Sequence, residues 1–393
     1  MRKGRGSIWR IAACAGLLCG GMNPAWGQEP RAVKITLTGQ SMIRSDIRVH
    51  APAAVPAIRS LLDGDVAFTN FEATVLDTAK GQSAKDGRFL SPPEALAALK
   101  SFGFNLLSLS NNHAWDLRLA GIQNTLRATD ALALVHAGTG NNIAEASAPA
   151  YLRTSKGTIA LVAMASGLIA EGASAGAARP GVNELRVDSG KPNPEDAQRI
   201  LQNIREARQR ADLVIVYEHN HVFDKPFITM LQEELPERLS PPDWLKKWTH
   251  DEVDAGADII VMHGAPLLHG VEIYRDRPIF YDLGNFIFQA PPADIVLDEP
   301  INWESVVAQV EFKGKKLESV TFRPIAMNKI GQGQADMHDE HTNNLFLQTR
   351  GLPRPAAGEQ ARYILERLAD LSRPFGTRLI IKDETAQIQL NGH

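Results

Sequence analysis

The run Asn111-Asn112-His113-Ala114-Trp115-Asp116 follows directly on an apolar stretch, Leu106-Leu107-Ser108-Leu109-Ser110. Two amides, an imidazole and a carboxylate are thus expected where a buried strand ends, and open α/β sheets gather their chemistry at such ends. An amide oxygen can ligate a metal, an imidazole can give or take a proton, and a nearby carboxylate can orient it. His113 and Asp116 are therefore the acid–base candidates. The plainer reading is a polar loop that caps the helix behind it, a place Asn and Asp favour.

Similar clusters recur at other expected strand ends: Asn70-Phe71-Glu72, Glu218-His219-Asn220-His221 and His263-Gly264. His219 and His221 are two apart, so an extended backbone turns both to one side, which suits joint ligation of a metal. A polar strand end facing water is the competing reading, for them and for His263. Glu72 can ligate, act as a base or cap a turn. Gln40 is either a turn residue bonded to the backbone or an amide touching substrate. Asn285 holds the Gly284 turn or borders the cleft.

The elements that must position these groups follow from hydrophobic period. Strands are expected at Val33–Thr38, Asp65–Phe71, Asn105–Ser110, Ala131–Ala137, Ile159–Ala165, Asp212–Tyr217 and Asp258–Met262. Helices are expected over Pro92–Ser101, Leu117–Asp130, Pro192–Ala211 and about Pro242–Ala255. Strands at Val271–Tyr274, Pro278–Tyr281 and Ser305–Phe312 suggest a more antiparallel region. Repeated helix–strand alternation predicts a mixed α/β sheet covered on both faces, and right-handed crossovers gather the strand ends along one rim. Beyond Pro324 a polar loop, Gly331 to His341, precedes an amphipathic helix at Glu359–Ser372 and a closing hairpin. Residues 28–330 thus read as the main domain and 331–393 as an appendage packed on it.

Residues 1–27 read as a signal peptide: Arg2, Lys3, Arg5 and Arg10, then the short apolar Ile11–Met22, then a small-x-small site at Ala25-Trp26-Gly27. The expectation is export to the periplasm or the medium. Lipidation at Cys14, in Ile11-Ala12-Ala13-Cys14, is the rival. The chain's 2 cysteines, Cys14 and Cys19, both lie in this leader. Disulfides and thiolate metal sites are thereby excluded from the mature protein, and any metal must be held by His, Asp, Glu or Asn. A formal net charge of −3 and no dense basic tract beyond the leader argue against a nucleic-acid partner.

Taken in order, these blocks resemble the CapA family of poly-gamma-glutamate synthesis (capsule biosynthesis) proteins, from about Val33 to Ile325. Asn70-Phe71-Glu72 is similar to the family's Asn-Leu-Glu, and Leu109 to Asp116 to its Asn-Asn-His-x-x-Asp block. Tyr281-Asp282-Leu283-Gly284-Asn285-Phe286-Ile287-Phe288 is similar to its Leu-Gly-Asn-Phe signature. The resemblance implies a four-layer α/β sandwich related to calcineurin-like metallophosphoesterases, with one or two divalent ions (Mn, Fe or Zn) between strand-end loops. It makes Asn112 a ligand, His113 with Asp116 a catalytic or orienting pair, and Glu72, His219 and His263 the rest of the ligand set.

Three departures stand out. Gly39-Gln40 replaces the family's Gly-Asp, His219-Asn220-His221 its His-Trp-Gly, and His263-Gly264-Ala265-Pro266 its His-His-Pro-His. His269 lies three residues on, where it either compensates at the substrate or faces solvent. Fewer anionic ligands weaken the hold on hard cations, so a mononuclear site, or none, fits the same residues. The implied function is an exported, metal-assisted hydrolase or transferase acting on poly-gamma-glutamate or a related capsular polymer. The alternatives are a non-catalytic polymer-binding subunit of a membrane synthesis or export complex, and a periplasmic phosphoesterase.

Overall fold

Alternating side chains on two stacked sheets generate the architecture. In the computed structural model, residues 32–83, 88–225, 238–291, 299–335 and 344–390 are described, with single positions 1, 229 and 297. The leader past its first residue, Cys14 included, and the 336–341 part of the polar loop lie outside the described residues.

The larger sheet has nine strands. Its parallel half is Ala32–Leu37, Val66–Asn70, Leu106–Ser108 and Val135–Ala137. Its antiparallel half continues from Ala32–Leu37 through Glu304–Lys313 and Lys316–Met327. The second sheet has six strands, with Gly157–Ser166, Leu213–Asn220, Ile259–His263 and Arg277–Phe280 running parallel.

Every residue of Leu213–Asn220 is buried, as a central parallel strand requires. Its alternate side chains serve different cores. Leu213, Ile215 and Tyr217 meet Ile35, Leu37, Phe68 and Leu106 between the sheets. Val214 and Val216 meet Ile200, Ile204, Leu245 and Trp248 of the helices Pro194–Arg210 and Asp243–Ala255. On the far face of the larger sheet, Ala67 and Leu107 pack on Leu96, Leu99, Ile122 and Leu126 of Pro93–Phe102 and Arg118–Ala131. The order is helix, sheet, sheet, helix: the expected four-layer α/β sandwich.

The helices begin and end where local chemistry dictates. Pro93 opens one helix at its first turn, where no amide hydrogen is needed, and Gly103, at φ 127°, closes it. The Asn193 side chain accepts from the N–H groups of Glu195 and Asp196 to start another. Two strands differ from expectation. The one expected from Ala131 begins at Val135, because the preceding helix runs to Ala131 and Ala133 turns at φ 49°. The one expected to stop at Tyr217 continues through Glu218, His219 and Asn220: Ser166 Oγ on the neighbouring strand lies 2.7 Å from Glu218 Oε1 and 2.8 Å from Asn220 Oδ1, and Asn112 from the opposing sheet meets His219. At the C-terminus, Ala361, Ile364, Leu365, Leu368 and Leu371 of Gly358–Ser372 enter the core between the sheets. The hairpin Leu379–Lys382/Thr385–Ile388 extends the larger sheet by pairing with Lys316–Met327.

Candidate metal centre and active site

The inter-sheet side of Leu213–Asn220 carries Tyr217 and then His219. Beyond the strand, His221 keeps the same direction, and its ring lies 4.8 Å from that of His219. The next strand places His263 in register with His219. Parallel strands therefore bring three imidazoles to one rim.

The opposing sheet supplies the rest. Asn111 Nδ2 donates to Asn70 Oδ1 at 3.2 Å and to the Phe71 carbonyl at 2.8 Å. Thr74 Oγ1 donates to the His113 carbonyl at 2.6 Å. These bonds join the Glu72 turn to the short 3₁₀ segment Asn112–Trp115. Asn112 Oδ1 consequently lies 2.9 Å from His219 Nε2, and Glu72 Oε1 lies 3.7 Å from the same nitrogen. His221 Nε2 is 3.1 Å from His219 Nε2. One ligand atom each from Glu72, His219 and His221 falls within 4.8 Å of the others, and all three residues are buried.

The electrostatics suit a cation. Burial, and then the charge of Asp116, pushes the Glu72 carboxyl well above the usual carboxylate range. Its Oε2 has no hydrogen-bond partner, and no lysine or arginine pairs with it, among the described residues. Burial, then the neighbouring His221, His263 and His113, holds His219 well below the ordinary imidazole value. Burial and His113 bring His221 to about 3. Burial, partly opposed by the Thr38 carbonyl, brings His263 to about 3. These three imidazoles are neutral near pH 7, the form that ligates metals. A buried carboxyl without a counter-charge, two imidazole nitrogens facing each other and an amide oxygen form a donor set that fits a divalent ion of the borderline kind.

Beside this cluster, His113 Nδ1 is 2.9 Å from Asp116 Oδ2, which also accepts the Phe89 N–H at 2.6 Å. The carboxylate is thus fixed from two sides and orients the ring. His113 is close enough to influence both His219 and His221, and Asp116 to influence Glu72.

Other expected site residues are placed differently. His263 stands next to the cluster, not within it: its Nε2 is 3.0 Å from the Thr38 carbonyl and its ring is 5.3 Å from that of Tyr217. Gln40 and Asn285, expected at the substrate, are buried; Gln40 Nε2 donates to Asn285 Oδ1 at 3.0 Å, and Asn285 Nδ2 to the Asn302 carbonyl at 3.0 Å. They hold together the short parallel pair Gln40–Met42 and Asn285–Phe288. His269, expected at the substrate or in solvent, is buried too. It lines a cavity of about 10 Å3 with His263 and Asp282, room for about one water and too small for a polymer.

Two residues escaped the sequence reading. Tyr217 OH lies 3.2 Å from His219 Nδ1 and so takes part in setting that ring's tautomer. The alternation Tyr217-x-His219 was the available signal. Asp282 is buried within electrostatic reach of Glu72; burial raises its pKa well above the usual value, against hydrogen bonds from the Gly284 and Ala265 N–H groups. It lies two residues before Gly284, in Tyr281-Asp282-Leu283-Gly284-Asn285.

The chain is similar to several known proteins. The model of the family described as Bacterial capsule synthesis protein PGA_cap matches residues 34–290. Uncharacterized protein y4sH of Sinorhizobium fredii is 28% identical, over 87% of this chain and 89% of that one. Capsule biosynthesis protein CapA of Bacillus anthracis is 31% identical over 58% of this chain and 51% of its own length. Among solved structures, a novel phosphatase of Mycoplasma pneumoniae has a TM-score of 0.46 at 12% identity, covering 75% of this chain and 94% of that one.

Proposed function

The chain belongs to the bacterial capsule synthesis protein family, and from that premise we propose that it is an exported, metal-assisted hydrolase or transferase acting on poly-gamma-glutamate or a related capsular polymer. The observation that carries the reading is the convergence of Glu72, His219 and His221 within 4.8 Å beside the His113–Asp116 pair.

Glu72, Asn112, His219 and His221 would hold a divalent ion, with His263 and Asp282 close behind them. Bound there, such an ion supplies Lewis acidity toward a carbonyl or phosphoryl oxygen and eases deprotonation of a nearby water. Asp116 holds His113 through Nδ1, which leaves Nε2 to protonate the leaving group as its bond breaks. Tyr217 orients the His219 ring, and the Asn111 bonds keep the two loops at working distance.

The test is to purify the mature chain, measure bound Mn, Fe and Zn, and follow the chain length of poly-gamma-glutamate. Stoichiometric metal with metal-dependent shortening or transfer of the polymer is the expected result. A metal-free protein that binds the polymer and leaves its length unchanged would replace this reading with the accessory one.

A further inference from the structure

The rim opposite the metal centre has chemistry of its own. Arg277 starts a strand parallel to the one that ends at His263, and Lys313 pairs with Ala32 at the start of the first strand. Between these turns and the C-terminal hairpin opens a groove of about 890 Å3. Arg275, Arg277, Lys315, Lys316 and Arg378 line it, against two acidic residues, Asp276 and Glu318. Half-buried Ile273 and Leu390 contribute apolar surface. A further hollow of about 390 Å3 shares Gly376, Thr377 and Arg378 and adds Arg373, so the path continues past Arg378.

Neighbouring carboxylates fix some of these cations. Arg275 Nη1 pairs with Asp254 at 2.6 Å, Arg277 Nε with Asp258 at 3.2 Å and Lys316 Nζ with Glu318 at 3.1 Å. Arg277 Nη1 also donates to the Asp276 and Lys315 carbonyls, so this guanidinium has a set orientation. Lys315 and Arg378 are exposed and make no ion pair among the described residues. Two unneutralised cations thus flank a basic groove with apolar patches.

We propose that this groove is a docking site, separate from the metal centre, for a linear polycarboxylate chain. Carboxylates at intervals along the chain meet Lys315 and Arg378, and the aliphatic links between them cover Ile273 and Leu390. The two hollows, about 890 and 390 Å3, share Gly376, Thr377 and Arg378, and that combined room favours a chain over a compact anion. Phe375 is the one aromatic among the described residues lining the groove, and one of its faces is stacked on Tyr281 at 4.9 Å, so the groove has no series of open rings on which successive nucleic-acid bases could stack. Only the choice of poly-gamma-glutamate as polymer rests on the reading above.

The experiment is fluorescence anisotropy of labelled poly-gamma-glutamate with the full mature chain, its Lys315→Glu/Arg378→Glu and Lys315→Gln/Arg378→Gln variants, and His219→Ala. The charge-reversed pair is expected to bind about tenfold more weakly or worse, the neutralised pair in between, with thermal midpoints unchanged and binding weakened by salt. His219→Ala, which alters only the metal centre, is expected to lose far less affinity than the charge-reversed pair. Equal binding by the charge-reversed pair, absence of wild-type binding at low salt, or a loss in His219→Ala as large as in the charge-reversed pair would overturn the proposal. Groove binding without polymer turnover would leave this site standing and remove the catalytic reading; turnover without groove binding would do the reverse.

Discussion

His219 and His221 face each other at 3.1 Å between their Nε2 atoms, both buried and both turned toward Glu72. Two protonated imidazoles at that distance would repel strongly in a site with little solvent, so the pair is neutral and its lone pairs are available. Ligation is the chemistry this arrangement suits best, and several predictions rest on it.

Replacing either histidine by Ala removes one donor from a small set. His219→Ala and His221→Ala are each expected to weaken divalent metal binding by about tenfold or more while the protein stays folded. Titration calorimetry with Mn and Zn, beside circular dichroism, checks this. Unchanged affinity in both variants would remove the metal centre.

His113→Gln is expected to lower turnover by about 10²–10⁴-fold with metal content retained, because it removes the proton donor and leaves the ligands in place. Asp116→Asn should lower it less and alter the pH–rate profile, since an amide no longer favours the same ring orientation. Parallel loss of metal in His113→Gln would instead place this ring among the ligands.

Glu72 carries a buried carboxyl with no cationic partner among the described residues. Glu72→Gln removes an unfavourable burial, so the metal-free protein is expected to melt at the same or a higher temperature than wild type, while metal affinity drops. Scanning calorimetry with and without chelator separates the two effects; a lower midpoint in chelator would contradict the argument.

Gly264 follows His263 at φ 141°, and a Cβ there would lie 2.0 Å from the Asn220 carbonyl oxygen. Gly264→Ala therefore forces apart the two strand ends that carry the histidines, at a cost of about 3 kcal/mol or more. Chemical denaturation reads this directly, and a change below about 0.5 kcal/mol would refute it.

Asp196, in the first turn of the helix Pro194–Arg210, ties that helix to Arg186 at 2.6 Å and also pairs with Arg199 of the same helix at 2.7 Å. Burial alone would raise its pKa; the hydrogen bonds from Arg186 and Arg199 outweigh burial and lower it. A depressed folded value means stability that is present above the unfolded carboxylate pKa, about 3.9, and is lost as pH falls through the folded one. Asp196→Asn is expected to cost about 1–3 kcal/mol at pH 7 and to flatten this acid limb. An acid limb identical to wild type would show that the pair contributes nothing.

The strands and helices that frame the site were legible because their signals are local. The apolar run before Asn111, the Pro92-Pro93 start and the His219-x-His221 spacing each act within a few residues, where period and capping operate. The limits of that reading are equally physical. Polar Glu218, His219 and Asn220 look like a loop in isolation and are strand in the fold, because Ser166 on the adjacent strand meets Glu218 and Asn220, and Asn112 from the other sheet meets His219. Gln40 and Asn285 look like cleft amides until their mutual hydrogen bond is seen. Asp282 has no meaning in sequence without the neighbour that shares its charge environment.

By itself, then, the sequence determined the alternation of elements, the family and the residue types able to ligate metal or move protons, since these depend on short-range period and on motif. Only the tertiary structure decided that Glu72, Asn112, His219 and His221 meet, that His263 turns to the Thr38 carbonyl, and that basic residues collect at the far rim. Those distances depend on how two sheets stack across a shared core, and packing between segments far apart in the chain is not encoded in any local pattern.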